Sequence, residues 1–441
     1  MKRAALYNLG CKVNAYETEA MQEILEKDDY QIVDFNDVAD VYIVNTCTVT
    51  NMADRKSRQM LNRAKKQNRD AIIIAAGCYV QDKEAQVLRD MGVDIILGNN
   101  NKNNLIQSIR DYGQDGNIYA HIVDINNTKE FENLSITKKR NHTRVILKIQ
   151  DGCDQFCSYC IIPTVRGRVR SRKLAEIVEE VKSLASQGTK EVVLTGINLS
   201  SYGLDLGSTQ KNGAINLDLS TNIVSVVKNI AQVNGIERIR IGSLEPRIVS
   251  IEFLRELHNI EEFCPHFHLS LQSGSDSVLK RMNRHYTTSE YREIVDNIRK
   301  IFTNPTLTTD IIVGFPGESE KEFFDTKNFV DEMNFYETHV FKYSKREKTK
   351  AASMPNQVSE DVKSERSHCL LDLNITKKIS FQEKMLHTNA EILVEDEITQ
   401  DGELWYVGHT KEYIKLGIQS PIDIRNQIIE VEISNGSQFI H

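Results

Sequence analysis

Along the first 123 residues, short apolar or β-branched runs alternate with longer segments of helical character. Ala4–Leu9, Val41–Asn45, Ile72–Ala76 and Asp94–Leu97 predict strands, and Ala15–Lys27, Met52–Gln67 and Asp82–Met91 predict helices. Such alternation builds a parallel sheet with crossover helices. Over Asp124–Asn141 the chain turns polar and aperiodic and reads as a linker. Six strand-like runs follow, at Val145–Ile149, Glu191–Leu194, Arg238–Ile241, His266–Leu271, Thr308–Val313 and Thr338–Phe341. Between them lie helix-like Leu174–Ser186, Leu219–Val233, Ile248–His258, Ser289–Ile301 and Lys321–Met333. Six βα units predict a partial parallel barrel with its chemistry on the loops after the strands. Ala390–Val394, Leu404–Val407, Tyr413–Gly417 and Ile428–Ile433 then predict a small β-barrel. The expected fold class is α/β: an open parallel α/β sheet at 1–123, a linker at 124–143, a partial (βα)6 barrel at 144–376 and a small β-barrel at 377–441.

Candidate chemistry sits at the strand ends. Asp151-Gly-Cys-Asp-Gln-Phe-Cys-Ser-Tyr-Cys160 follows the first barrel strand and sets Cys153, Cys157 and Cys160 in a Cys-x3-Cys-x2-Cys array. Thiolates this close together suit an iron–sulfur cluster or zinc. A structural zinc site is normally closed by a fourth Cys or His. None lies nearby in sequence, since His142 precedes the strand. A cubane cluster on three cysteines keeps one iron open, whereas a closed metal staple holding the loop is the competing reading. The spacing resembles that of radical S-adenosylmethionine (SAM) enzymes, in which the open iron holds the amino and carboxylate groups of SAM.

The other barrel strand ends are small and polar: Thr195-Gly-Ile-Asn198, Gly242-Ser-Leu-Glu-Pro246, Gln272-Ser-Gly-Ser275 and Gly314-Phe-Pro-Gly-Glu318, with Asp310 inside the fifth strand. A nucleoside cofactor needs partners for its ribose hydroxyls, which Glu245, Gln272 and Ser273 could supply. It also needs close backbone approach at its adenine, which Gly196 and Gly314 could allow. Asn198, Ser243 and Asp310 share this rim and complete the cofactor-binding candidates.

A second trio falls in the N-terminal third. Cys11, Cys47 and Cys78 each follow a predicted strand, in Leu-Gly-Cys11, Asn-Thr-Cys47 and Ala-Gly-Cys78. Loops at the carboxyl ends of parallel strands converge on one crevice, so these distant cysteines become neighbours. Gly10 and Gly77 allow a sharp turn beside a bulky ligand. A single cysteine at a strand end is more often a small buried apolar residue. Three in equivalent places point to a metal cluster. Cys264 and Cys369 join neither trio and read as core or incidental thiols.

Composition alters this picture little. The 441 residues are 40% hydrophobic and 27% charged, as in ordinary globular proteins. No apolar h-region opens the chain and no apolar run nears the roughly 18 residues of a membrane span. The eight cysteines then read as metal ligands in a reducing, cytoplasmic setting rather than disulfides. Charge matters through its distribution. The net −7 matches that of residues 389–441 alone, with ten acidic against three basic side chains. Lys138–Lys173 carries ten basic residues and two aspartates around the cysteine loop, and Lys342–Lys350 adds five basic residues and one acid. A basic band beside a metal loop can draw in a phosphate backbone, or it can simply be a solvated linker. Arg166, Arg168, Arg170 and Arg172 would share a face of an extended ribbon and make phosphate contacts; alternatively, part of the ribbon pairs with carboxylates of the barrel. Trp405, Tyr406 and Tyr413 could stack on bases but fit the core of a small barrel better.

With both trios in view, the chain resembles the methylthiotransferases over essentially its whole length. The stretches that carry this are Asn8-Leu-Gly-Cys-Lys-Val-Asn-Ala-Tyr-Glu17, Asn45-Thr-Cys-Thr-Val-Thr50, Ala76-Gly-Cys-Tyr79, Asp151 through Cys160-Ile-Ile-Pro163, and Arg166-Gly-Arg. The resemblance implies an N-terminal cluster domain, a radical-SAM barrel and a C-terminal TRAM domain. It implies that Cys153, Cys157 and Cys160 hold the 4Fe-4S cluster that cleaves SAM, and that Cys11, Cys47 and Cys78 hold a second 4Fe-4S cluster carrying the sulfur to be transferred. Leu-Gly-Cys-Lys-Val-Asn and Cys160-Ile-Ile-Pro look like the branch acting on N-threonylcarbamoyladenosine at position 37 of tRNA. Implied with it are tRNA as partner, a low-potential electron donor of the flavodoxin or ferredoxin type, and no membrane. TRAM domains are expected to bind RNA, yet here that region is the acidic one. The alternatives are a methylthiotransferase for isopentenyl-type adenosine in tRNA or for a ribosomal-protein aspartate. From another class, the alternative is a non-catalytic metal-dependent RNA-binding protein with closed zinc sites.

Overall fold

Six parallel strands form the N-terminal sheet of the computed structural model, which describes residues 1–115, 119–138, 143–207, 222–400 and 402–440. They are β1 (Arg3–Asn8), β2 (Gln31–Val33), β3 (Val41–Thr46), β4 (Ile72–Gly77), β5 (Ile95–Leu97) and β6 (Tyr119–His121), in the order β2-β1-β3-β4-β5-β6. Helices α1 (Lys12–Lys27) and α2 (Asn51–Gln67) are the first crossovers. Strands β2 and β6 are too short to show a periodicity, so the sequence pattern did not reveal them. The helix expected over Asp82–Met91 is instead two short ones, Cys78–Asp82 and Ala85–Asp90, separated by extended Lys83 and Glu84.

Part of the segment read as a linker joins the core. Leu134 and Ile136 are buried, and the Tyr16 hydroxyl donates to the Leu134 carbonyl at 2.6 Å. The rest of that expected linker, residues 139–142, lies outside the described residues.

The central region is a partial barrel of parallel strands. Strands β7 (Arg144–Lys148), β8 (Glu191–Thr195) and β9 (Arg238–Ile241) pair side by side. Strands β10 (Ser243–Leu244), β11 (His266–Leu269), β12 (Thr306–Val313) and β13 (Glu337–Lys342) continue the curve. Outside them pack α3 (Leu174–Ser186), α4 (Ile223–Ala231), α5 (Ile251–His258), α6 (Thr288–Ile301) and α7 (Glu320–Met333). The first residues of the helix expected over Leu219–Val233 lie outside the described residues. Phe267 and Leu269 face the helices in the main core, so the alternate positions of β11, His266 and His268, face the lumen.

A 26-residue helix, α8 (Glu360–Met385), leads from the barrel to the last sheet. Its polar and apolar residues are spread around the axis, and periodicity gave no sign of it. Leu370 packs in the barrel core, and Phe381 and Met385 pack on the last sheet. That sheet is antiparallel: β14 (Asn389–Gln400), β15 (Glu403–Thr410), β16 (Lys415–Ile418) and β17 (Ile428–Glu432), in the order β16-β15-β14-β17. It closes the floor of the barrel. Arg238 donates to the His409 carbonyl at 2.7 Å, and Arg240 to the Lys411 carbonyl at 2.9 Å. Tyr413 is stacked between His266 and His409, each 4.7 Å away, so its ring is occupied within the protein. No helix among the described residues is long and apolar enough to cross a membrane.

Candidate active site

The loop after β7 brings Cys153, Cys157 and Cys160 around one cavity of about 150 Å3 at the carboxyl end of the barrel strands. Gly152 precedes the first cysteine at φ +70, and a Cβ there would lie 1.8 Å from the Arg168 carbonyl oxygen. Only glycine lets these two backbone segments meet. The Cys153 amide then donates to the Gly167 carbonyl at 3.0 Å, and the Ser158 amide to the Met282 carbonyl at 2.9 Å. Asn283 donates to the Phe156 carbonyl at 3.1 Å. The loop is thus tied on both sides by the protein itself.

Two side chains point N–H groups at the sulfurs. Arg284 Nη1 lies 3.4 Å from Cys157 Sγ, and Asn198 Nδ2 lies 3.7 Å from Cys153 Sγ. Burial raises the Cys153 and Cys160 thiols above their ordinary range. Their ionisation therefore calls for an adjacent positive charge, which a metal centre supplies. Three sulfur donors on one wall, with no fourth cysteine or histidine among the described residues that line the cavity, suit a cluster with one open metal position better than closed zinc.

Of the cofactor-binding candidates, Asn198, Ser243, Glu245 and Gln272 line this cavity. The other four do not. Buried Ser273 bonds Thr326 at 3.1 Å, and Asp310 takes His268 Nε2 at 3.1 Å. A Cβ on Gly196 would meet Gln150, and one on Gly314 would meet Lys363, so their small size serves packing within the protein. Arg284 also lines the cavity and was missed by sequence reasoning. Its signal was a cation shortly after the Gln272-Ser-Gly tract, beside Lys280 and Arg281 in a basic stretch that otherwise looks like an exposed helix end.

The N-terminal trio is assembled by strand adjacency. Strands β1, β3 and β4 are neighbours; Cys11 caps α1 after β1, Cys47 follows β3 and Cys78 opens the short helix after β4. Gly77, at φ +95, has no room for a Cβ: Asn45 Oδ1 and the Thr46 carbonyl would each be 2.6 Å away. Asn14, one turn into α1, donates to the Leu9 carbonyl at 2.7 Å and the Thr46 carbonyl at 3.0 Å, joining the Cys11 and Cys47 loops. Burial, with the charges of Cys78 and Cys11, pushes the Cys47 thiol up to about 11. A cavity of about 440 Å3 opens beside Cys47, lined by Gly10, Met52, Arg55 and Lys56 among others.

One buried guanidinium joins the two trios. Arg166 Nε donates to Cys78 Sγ at 3.2 Å. Its Nη1 donates to Asp151, two residues before Cys153, at 3.0 Å, and its Nη2 donates to Asn14 Oδ1 at 2.6 Å. Glu17 completes the cage: it accepts from Arg166 Nη1 at 3.0 Å and pairs with Lys102 at 3.1 Å and Lys148 at 2.7 Å. Burial would lift the Glu17 carboxyl, but Arg166, Lys102 and Lys148 outweigh it and hold the group well below the usual carboxylate range. Ile161 and Val165, just beyond Cys160, pack on Cys78. The cysteine sites are therefore adjacent, with shared support. Asn14 and Glu17 were not singled out from sequence, although both lie in the quoted motif.

This cage corrects the expected phosphate-binding ribbon. Arg166 and Arg170 are fully buried and Arg172 nearly so. Arg172 pairs with Glu180 at 2.6 Å, and Arg170 donates to the Arg168 carbonyl at 3.0 Å. A buried cation without a carboxylate or carbonyl partner is costly, and these have such partners and no path to solvent. Only Arg168 stays exposed, 4.6 Å over the Phe156 ring and paired with Asp154.

Comparison with known proteins agrees with this geometry. The pattern of the Radical SAM superfamily matches residues 147–330, and that of the uncharacterized protein family UPF0004 matches residues 3–98. A threonylcarbamoyladenosine tRNA methylthiotransferase, MtaB, of Bacillus subtilis is 38% identical over 98% of this chain and 94% of its own. A tRNA-2-methylthio-N(6)-dimethylallyladenosine synthase of Clostridium novyi is 34% identical over 99% of this chain and 95% of its own. Among solved structures, the radical SAM methyltransferase TsrM of Kitasatospora setae shares the fold. Its TM-score is 0.58 at 15% identity, covering 80% of this chain and 77% of that one.

Proposed function

The chain belongs to the radical-SAM methylthiotransferases, and we propose that it inserts a 2-methylthio group at carbon 2 of N-threonylcarbamoyladenosine, position 37 of tRNA. When bound, the two 4Fe-4S clusters and SAM supply radical hydrogen abstraction at that carbon and delivery of a methylated sulfur. Cys153, Cys157 and Cys160 hold the cluster of the barrel, and Cys11, Cys47 and Cys78 hold the second. Arg284 and Asn198 direct N–H groups at the barrel sulfurs and offset their charge. Asn198, Ser243, Glu245 and Gln272 offer polar atoms to the nucleoside part of SAM. Arg166 fixes the spacing between the sites by bonding Cys78 and Asp151 at once. A low-potential donor of the flavodoxin or ferredoxin type supplies the electron, and the reaction runs in the cytoplasm.

The observation that carries this reading is the adjacency of two cysteine trios, linked through Arg166 between Cys78 and Asp151 and through Ile161 and Val165 packed on Cys78. The test is mass spectrometry of tRNA nucleosides from a deletion strain. Loss of 2-methylthio-N-threonylcarbamoyladenosine, restored by the wild-type gene and not by Cys11→Ala, is expected. An unchanged nucleoside profile ends the reading.

A further inference from the structure

With the 166–172 ribbon buried, the cations that meet the RNA must lie elsewhere, and α2 supplies them. Its buried arc is Asp54, Ser57, Met60, Leu61 and Ala64, which seat it on the sheet. The opposite arc exposes Arg55, Lys56, Arg58, Arg63 and Lys66 and carries no acidic residue, and exposed Arg69 follows just past the helix end. Among the described residues none of these six lies within ion-pair distance of a carboxylate; Arg63 bonds the neutral Asn36. The acid of the first turn, Asp54, faces inward and is neutralised by Arg346 at 2.9 Å.

Position gives this face its meaning. Arg55 and Lys56 line the cavity that opens beside Cys47. From there the cations run along the helix to Lys66, about 17 Å at 1.5 Å per residue, with Arg69 just beyond its end. At the near end the barrel adds to the band. Arg346 Nη1 donates to Asn51 Oδ1 at 2.9 Å, and the Asn51 amide to Ser344 Oγ at 3.1 Å. This seats the segment holding exposed Lys342, Lys345 and Lys350 against the first turn of α2. Residues 389–441, which hold the last sheet, carry ten acidic against three basic side chains.

We infer that the exposed face of α2 is the docking surface for the sugar–phosphate backbone of the tRNA, guiding the modified adenosine toward the cavity beside Cys47. The inference rests on the tRNA reading above and adds the surface that delivers the substrate. Unpaired Lys and Arg along a rigid rod suit a polyanion, and contacts to phosphate position without reading sequence. A membrane surface fits less well, because the apolar arc of the helix is already used against the sheet.

The experiment measures affinity of the cluster-loaded protein for threonylcarbamoylated tRNA, purified from the deletion strain, between 50 and 300 mM salt. The variant R58A/R63A/K66A/R69A is expected to bind at least roughly tenfold more weakly at 150 mM salt. The slope of log K against log salt should become shallower by about 3, the release expected for four lost phosphate contacts. Iron content reports that the variant is folded, and R58K/R63K/R69K, which keeps the charge, should restore affinity to within about threefold. Equal affinity and slope in the alanine variant overturn the proposal. So does binding to phosphatidylserine vesicles that is lost in that variant while its RNA affinity is kept, since the face then belongs to a membrane. A wild-type protein that binds this tRNA without methylthiolating it sinks the reading of the reaction and leaves the surface measurement valid.

Discussion

At the scale of single residues, Arg166 is the side chain on which most of the site depends. It is fully buried and gives hydrogen bonds to a sulfur, two carboxylates and an amide oxygen. Arg166→Ala would leave Asp151 and Glu17 short of positive charge in a dry interior, at a cost of about 3 kcal/mol. Urea unfolding and iron counting check this; the variant is expected to unfold at lower urea and to hold less iron. Arg166→Lys is not a rescue, because an ammonium cannot reach Cys78, Asn14 and Asp151 together. Gly152→Ala acts on the other trio. With 1.8 Å between its Cβ and the Arg168 carbonyl, the cysteine loop must move off its support. Release of 5′-deoxyadenosine from SAM under reducing conditions should fall more than roughly tenfold, while the N-terminal sheet stays folded.

At the scale of elements, α8 ties the barrel to the last sheet through only one of its faces. Leu370 is buried in the barrel core, whereas Ile375 on the same helix is 56% exposed. Leu370→Ala should therefore cost about 3 kcal/mol in urea unfolding, and Ile375→Ala less than about 0.5 kcal/mol. The last sheet shows the same division of labour. Its acidic strands turn basic-side partners of the barrel to use: Glu395 meets Arg144 at 2.9 Å, and Tyr413 lies beneath Arg240 at 4.8 Å. In this protein that element seals the barrel floor, and its aromatic Tyr413 is already stacked with His266 and His409.

At the scale of the whole molecule, the N-terminal sheet and the barrel are joined by buried charge. Glu17 from the sheet domain meets Lys148 and Arg166 from the barrel side. Its folded carboxyl is held below the ordinary value, so its contribution to stability is fully present above about pH 4.5 and is lost as pH falls through the folded value. Acidification below pH 4.5 should loosen the junction first. Urea midpoints of wild type and Glu17→Gln at pH 7 and pH 4 check this. The wild type should lose more of its midpoint between the two pH values than the variant, which starts lower and lacks the titrating group.

The alternation of strand and helix was legible along the chain because period and length are local properties of sequence, and the α/β class followed from them. The cysteine spacing was equally legible: a three- and a two-residue gap on one loop confines Cys153, Cys157 and Cys160 to one cavity. What local pattern could not give was the surroundings of a charge. Arg166, Arg168, Arg170 and Arg172 look alike in sequence, yet Arg168 alone is exposed, because the partner that buries Arg166 lies 149 residues earlier, at Glu17. The basic run of α2 carries no local sign of its place, and only the fold sets its first turn beside Cys47. Which residues can bond is written in the chain. Which of them face water, and which face a carboxylate from another domain, was decided only when the sheet, the barrel and the floor packed together, because desolvation depends on everything that surrounds a group and not on its neighbours in sequence.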